Sequence, residues 1–554
     1  MKRFLSILLS LIMVFSCAGA LAEDNETLTL EVYDVAANFQ GMQPGWYAKV
    51  VKDLFNIELN IIAPQQSGDA QYATRTASGF LGDIILLDNA DMQDCIAAGL
   101  IKDISALYAD CPDLKAYDEP IQALNKSFEG VADGQIYAIP CQMCNSSPTS
   151  FSEDKVYSSP MLPWDFYTEQ GAPEMANLDD LLDVLAKIQA AHSTNADGDP
   201  AYALSLWPDW DSDYMENVAQ LTKWYGQETL GSVLLGADGS IVPLTDKDGA
   251  YYRILNFLFK ANQMGLIDPD SGTQDWNAAC DKMGHKRVYL MWYSWQLGFW
   301  NTASRGAERQ NFMYSPVKDM NFYQPGDYYY GDGRCIAVGS KVSDENAKRI
   351  MEFLNYYISP DGATTLHDGM LGYNYYILPD GRYELTEHGE SALMANLAVP
   401  EELGGGNYND GICKINQWLT HSASVNPKTG EQYNSNFWST TLKKNDTATT
   451  QEWSAKYGAI NQVEYLKSQN MISIVPSVNV NLPSDTTEIG LIRSQTGKIV
   501  KETSWQMVFA KDEAEFEAMW DAMIEKLEGF GWDELVEFDT DKQQIVVDLR
   551  NASK

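Results

Sequence analysis

Gly79-Phe80-Leu81-Gly82-Asp83-Ile84-Ile85-Leu86-Leu87-Asp88-Asn89-Ala90-Asp91, running on to Ala98-Gly99-Leu100-Ile101-Lys102-Asp103-Ile104, is the stretch whose reading decides the fold. Ile84 to Leu87 form an apolar run between Gly-Asp and Asp-Asn, which predicts a short buried parallel strand ending in polar groups. Ala90 to Gly99 has the length and terminal glycine of a helix. Ligands of open α/β sheets sit beyond the carboxyl ends of the strands, so Asp88, Asn89 and Asp91 are candidate ligand-binding residues.

Outward from this segment, Leu28, Leu30 and Val32 alternate as a strand, Trp46 to Phe55 carries helical spacing, and Ile57 to Ala63 is again strand-like. A βαβ start of this kind implies a parallel sheet. Leu178, Leu181, Leu182, Leu185 and Ile188 share one face of a predicted helix from Asn177 to His192, with Asp179 and Asp180 in its first turn, where the helix dipole favours acids. Phe516, Met519, Trp520, Met523, Ile524 and Leu527 form a core-facing stripe closed by Gly529, and Gln544 to Leu549 is expected to be a strand. Gly404 to Gly411 and Lys443 to Gln451 are expected loops. There is no internal repeat.

The opening stretch resembles, without a gap, the first sugar-contacting strand and helix of the extracellular solute-binding proteins that serve ABC importers, carbohydrate-binding type. Three further matches follow in the family's order. Asp133-Gly134-Gln135-Ile136-Tyr137-Ala138-Ile139-Pro140 resembles its strand entering the hinge. Gly284-His285-Lys286-Arg287-Val288-Tyr289-Leu290-Met291-Trp292-Tyr293-Ser294-Trp295 resembles its strand and aromatic ligand loop. Ile336-Ala337-Val338, with a helix from Ser343 to Ile358 and Ser359-Pro360-Asp361-Gly362, resembles its third signature. The matches touch most of the chain between residues 27 and 380, and the length is similar to the long-chain subgroup of the maltose-binding-protein-like family.

The resemblance implies an α/β, two-lobed periplasmic-binding-protein-like fold with mixed sheets flanked by helices and a cleft between the lobes. Lobe one would take residues 23–140 and 325–385; lobe two would take 141–324 and 386–554, with a C-terminal α/β extension. The implied function is capture of a carbohydrate, an oligosaccharide, and its delivery to an ABC-transporter permease by hinge closure. The alternatives are a binding protein for a peptide or other small solute, since Asp88, Asn89 and Asp91 could also hold an amine, and a secreted carbohydrate-active enzyme.

Composition narrows the partners. The chain has 554 residues, is 45% hydrophobic and carries a formal net charge of −38. Length and apolar content allow two or three globular units. The acidity argues against nucleic acid and disfavours a polyanionic sugar. Lys2 and Arg3, the apolar run Phe4 to Phe15 and Ala20-Leu21-Ala22 match a secretory signal peptide over residues 1–22, with the mature chain starting near Glu23. Val14-Phe15-Ser16-Cys17 offers lipid anchoring at Cys17 as the alternative, although Phe15 is bulky for such a box. The expected product is an extracytoplasmic, monomeric protein.

Sugar rings present an apolar CH face and a polar hydroxyl rim, so a flat aromatic ring beside carboxylates matches both. Trp207-Pro208-Asp209-Trp210-Asp211 has that chemistry, and Tyr289, Trp292, Tyr293, Trp295, Phe299 and Trp300 form a denser patch. Trp207, Trp210, Trp292 and Trp295 are expected to face the cleft, the last two supported also by their place in the family pattern. Tyr289, Phe299 and Trp300 are assigned to the core, and Tyr330 and Asp332 join the ligand-binding candidates. The five histidines make no His-x-x-x-His pair, and Gly-x-Ser-x-Gly, P-loop and complete Rossmann signatures are absent. No catalytic residue or cofactor is therefore expected. A paired-carboxylate glycosidase remains formally open, because so many acids always supply some pair.

Asn195-Ala196-Asp197-Gly198-Asp199 resembles a shortened calcium loop of some long-chain relatives, but its glycine is fourth rather than sixth and Pro200 follows, so a plain turn is expected. Cys95, Cys111, Cys141, Cys144, Cys280, Cys335 and Cys413 are too sparse for a disulfide framework. Cys141 and Cys144 read as a local disulfide or two buried thiols, and a Cys95 to Cys111 disulfide is open.

Overall fold

The computed structural model describes residues 26–64, 70–480 and 482–553. The signal-peptide and Cys17 readings lie outside the described residues. The chain divides into two units. The first comprises the described residues up to Ser150, with Asp327–Lys443 and Ser477–Leu482; the second comprises Phe151–Gly326, Lys444–Pro476 and Pro483–Lys554 as far as they are described.

The first unit is built on a six-stranded mixed sheet. Its order is Gly41–Met42, Ile57–Ile62, Leu28–Asp34, Ile84–Asp88, Arg334–Val338, Ala138–Pro140. Leu28–Asp34 lies parallel to both neighbours, as the βαβ start requires, with the helix Gly45–Phe55 making the crossover. Arg334–Val338 returns antiparallel to Ile84–Asp88 and pairs Arg334 with Asp88. Every side chain from Ile84 to Leu87 is buried, and Asp88 emerges exposed at the strand's carboxyl end. The helix that follows spans Asn89–Ala97, and Gly99 takes the left-handed φ of 71° that ends it.

Residues 386–443 belong to the first unit, which corrects their assignment to lobe two. Their backbone is fastened to the first βαβ turn: Tyr47 N donates to Gly411 O at 3.0 Å, the Trp46 indole N donates to Tyr408 O at 3.0 Å, and Trp46 stacks on Tyr408. Gly45, at φ 65°, touches the Gly411 backbone so closely that a Cβ has no room. Ile415 and Leu419 then enter the unit's core.

The second unit has a three-stranded sheet (Met291–Tyr293, Ser158–Pro163, Phe312–Tyr314), a parallel pair (Phe322–Pro325 with Ile472–Val475) and a three-stranded meander (Gln227–Leu230, Val233–Gly236, Ile241–Pro243). Around them pack Leu178–Ala191, Ala250–Gln263, Thr487–Val508, Glu513–Glu528 and Trp532–Ala552. Asn177 caps the first of these, its side-chain oxygen accepting from the amides of Asp179 and Asp180.

The expected strand Gln544–Leu549 is instead part of the helix Trp532–Ala552. Trp532, Leu535, Asp539, Gln543, Val546 and Val547 are its buried positions, a 3–4 spacing that places the β-branched pair on the packed stripe. The expected loop Lys443–Gln451 is two helix ends, Ser439–Asn445 and Ala448–Tyr457, parted at Asp446-Thr447. All seven cysteines among the described residues are free, so Cys141 and Cys144 are buried thiols and Cys95 and Cys111 are not joined. Asn195 Oδ1 accepts from the amides of Asp197 and Asp199, closing a turn at Gly198.

Candidate ligand-binding site

In the second unit the aromatic residues assemble into a layered platform. The lower layer is a parallel stack of Trp207 on Trp292, with centroids 5.3 Å apart and planes 3° apart. These two rings are 1% and 0% exposed, so the expectation that they face a cleft is corrected: both belong to the unit's apolar core. The upper layer is Trp210, Trp276 and Trp295. Trp276 lies 4.6 Å from Trp207 and 4.5 Å from Trp210, and Trp295 lies 5.4 Å from Trp276. Trp295 is 39% exposed and Trp210 half-buried, so these two of the four expected tryptophans are accessible.

The local sequence explains the layering. Met291–Tyr293 is a three-residue strand pairing with Ser158–Pro163, all of it buried, and Ser294–Phe299 leaves it as a tight 3₁₀ turn. Gln296, inside that turn, accepts from the amides of Trp292 and Tyr293 with its side-chain oxygen, which holds the turn down while Trp295 points outward. Tyr293, buried beneath, stacks on Trp295 at 4.9 Å and 16°. Tyr289 is core, as expected, while Phe299 and Trp300 are partly buried against it.

The acids interleaved with Trp207 and Trp210 are engaged inside the protein. Asp209 accepts from the Trp276 amide at 2.7 Å, and Asp211 accepts from the Glu216 amide and the Trp505 indole. Burial raises the carboxyls of Asp211 and Glu216 above the usual carboxylate range. Lys223 sits over the Tyr157 ring at 5.5 Å and pairs with Glu228 at 3.2 Å.

In the first unit, Asp88, Asn89, Asp91, Tyr330 and Asp332 lie near the carboxyl ends of the sheet. Asp88 is already paired with a cation: Arg334, opposite it in register, donates to its carboxylate at 3.2 Å and lies 3.8 Å from Asp332. Gln417, its amide turned to suit both, donates to Asp332 at 3.0 Å and accepts from Arg334 at 2.7 Å. Burial pushes Asp332 up to about 6 against the pull of Arg334. Burial likewise raises Asp34, which accepts from the amides of Ala36 and Asn416, to about 6. Asn89 opens its helix, its amide donating to Gly333 O. Asp91 is exposed in the first turn. Tyr330 makes an edge contact with Tyr329, whose hydroxyl donates to Glu119.

Three participants were not foreseen. Arg334 had a readable signal, a cation two residues after Asp332 at the start of the third signature strand. Gln417 and Trp276 had none, because each meets its partners through the folded chain.

The family model of the bacterial extracellular solute-binding proteins matches residues 46–379. The chain belongs to that family. Its role is solute binding, not catalysis. Solved structures with a similar fold include the alginate-binding protein AlgQ2 without calcium ion (16% identity, TM-score 0.57, 94% of this chain and 98% of that one). A second is an HMO-binding, ABC-transporter-associated solute-binding protein from Bifidobacterium longum infantis ATCC 15697 (14%, 0.58, 94% and 100%). A third is the S. pneumoniae ABC-transporter substrate-binding protein FusA in complex with kestose (14%, 0.58, 95% and 100%). No curated protein sequence matches the chain. The two-unit α/β architecture expected from the sequence is the fold these structures share.

Proposed function

We propose that this protein captures an oligosaccharide outside the cytoplasm and hands it to an ABC-transporter permease. The observation that carries the reading is the upper ring layer of Trp210, Trp276 and Trp295, resting on a buried tryptophan stack. A rigid, partly solvated aromatic surface suits the CH face of a sugar and loses little conformational freedom on binding. The solved relatives, one named for alginate, one for HMO and one bound to kestose, support the carbohydrate class.

Charge selects within that class. The net charge of −38 and the acids around the platform favour a neutral or cationic glycan over a polyuronate. Arg334 already neutralises Asp88, which favours hydroxyl recognition over amine recognition in the first unit. Capture couples to delivery by hinge closure, in which a ligand's differential affinity shifts the conformational population. On this reading the protein is a monomer, released by cleavage near Glu23 rather than held by a lipid on Cys17.

Isothermal titration against neutral oligosaccharides of two to five units, at low and at high salt, tests the proposal. Ring stacking gives saturable binding that salt leaves nearly unchanged. A peptide or amine ligand would give affinity falling steeply with salt, and a folded protein that binds no glycan in the panel would overturn the carbohydrate reading.

A further inference from the structure

The platform joins segments far apart in the chain, Ser205–Trp210, Trp276 and the 291–295 strand and turn, so something must fix their relative positions. Beneath Trp207 lies a buried polar cluster that the ligand-binding reading does not use. Lys282 is only 10% exposed in its side chain, and each of its three N–H groups has an acceptor. These are Asp268 at 2.6 Å, Asp270 at 2.9 Å and the Gln274 side-chain oxygen at 2.8 Å. Two of these acceptors, Asp268 and Gln274, together with Ser271, reach the segment that carries Trp207. Ser205 Oγ donates to Asp268 at 2.8 Å, the Gln274 side-chain nitrogen donates to Ser205 Oγ and to Leu206 O, and Leu206 N donates to Ser271 Oγ at 3.0 Å.

Lys282 stands near the end of the helix Trp276–Gly284, whose first residue is the platform ring Trp276. One ammonium therefore ties the loop bearing Trp207 to the helix bearing Trp276. A second clasp closes on the exposed side, where Asp209 accepts from the Trp276 amide. Asn217 pairs with both backbone groups of Trp207 and fixes that ring's root from a third direction.

We propose that Lys282 and Gln274 are positioning residues of the aromatic platform, setting Trp276 against Trp207 and so shaping the surface offered to a sugar ring. The consequence for binding rests on the oligosaccharide reading above; the positional claim does not. A buried ion pair need not add net stability; the role assigned to this one is to hold in one arrangement the two segments it joins. Losing it lets Trp276 slide on Trp207 without unfolding the unit.

The test compares wild type, Lys282→Met and Gln274→Leu in the full chain. Near-UV circular dichroism reads the coupled tryptophans, far-UV dichroism reads the fold, and titration with the tightest neutral oligosaccharide of the panel reads affinity. Both variants are expected to keep the far-UV spectrum, to lose a large part of the near-UV tryptophan signal and to bind about tenfold more weakly or worse. An unchanged near-UV spectrum with unchanged affinity, whatever the melting temperature does, would overturn the proposal, because a merely stabilising lysine moves only the latter. If Lys282→Met fails to fold, Gln274→Leu alone decides, since it keeps the Lys282–Asp268 pair. If wild type binds no glycan, the near-UV comparison still decides the positional claim while the oligosaccharide reading falls.

Discussion

Trp292 and Trp295 stand three residues apart and have opposite fates. The strand, buried on both faces, packs Trp292 against Trp207, and the turn held by Gln296 then lifts Trp295 to the surface. Trp292→Ala is expected to lose about 3–5 kcal/mol of unfolding free energy through the cavity it leaves. Trp295→Ala leaves no core cavity, so its denaturation midpoint should stay close to wild type; urea unfolding of the two variants side by side checks the contrast.

Asp368, at the end of the helix Pro360–Asp368, makes a second expectation at this scale. It is buried, accepts from the Ser435 amide, and burial raises its carboxyl to about 8. The folded state therefore holds a proton that the unfolded chain, near 3.9, releases. Stability contributed by the neutral acid is complete below about pH 4 and falls as pH rises towards 8. Asp368→Asn keeps an uncharged acceptor there and should flatten that part of the profile. Thermal midpoints of both proteins at pH 5 and pH 8.5 check this, and equal losses would count against it.

At the scale of elements, the legible parts of the sequence were those where local pattern and tertiary burial agree. Ile84–Leu87 is apolar on both faces because the strand is central, and Asn177 with Asp179 and Asp180 marks a helix start that needs no tertiary help. Gln544–Leu549 misled because Ile545, Val546 and Val547 have strand propensity, while packing selects the helical stripe through Leu535, Asp539 and Gln543. The platform was legible as a composition and not as a geometry. Nothing near Trp207 marks it as the floor, since Asp268, Gln274 and Lys282 reach it only through the fold.

The C-terminal helices are locked to the meander by one charge cluster. Arg493 forks onto Asp485 and Asp539, and Asp539 also accepts from the amide and hydroxyl of Ser232. Asp539→Ala removes one of the two carboxylates on a mostly buried guanidinium, leaving it Asp485, and strands the buried Ser232 amide, and should cost about 1–3 kcal/mol by chemical denaturation.

Across the whole molecule, 77 acidic residues against 39 basic ones make a field that repels anionic ligands, while the surface proposed to bind is a layer of tryptophan rings. Affinity for a neutral glycan should therefore depend on ring contact far more than on ionic strength. The most direct measurement is calorimetric titration of wild type and Trp295→Ala with the same neutral oligosaccharide. Loss of a stacked ring and its covered apolar area corresponds to about 1.4 kcal/mol or more, hence about tenfold weaker binding or worse, in a variant that still folds. Equal affinities for the two proteins would remove Trp295, and with it the platform, from the ligand site.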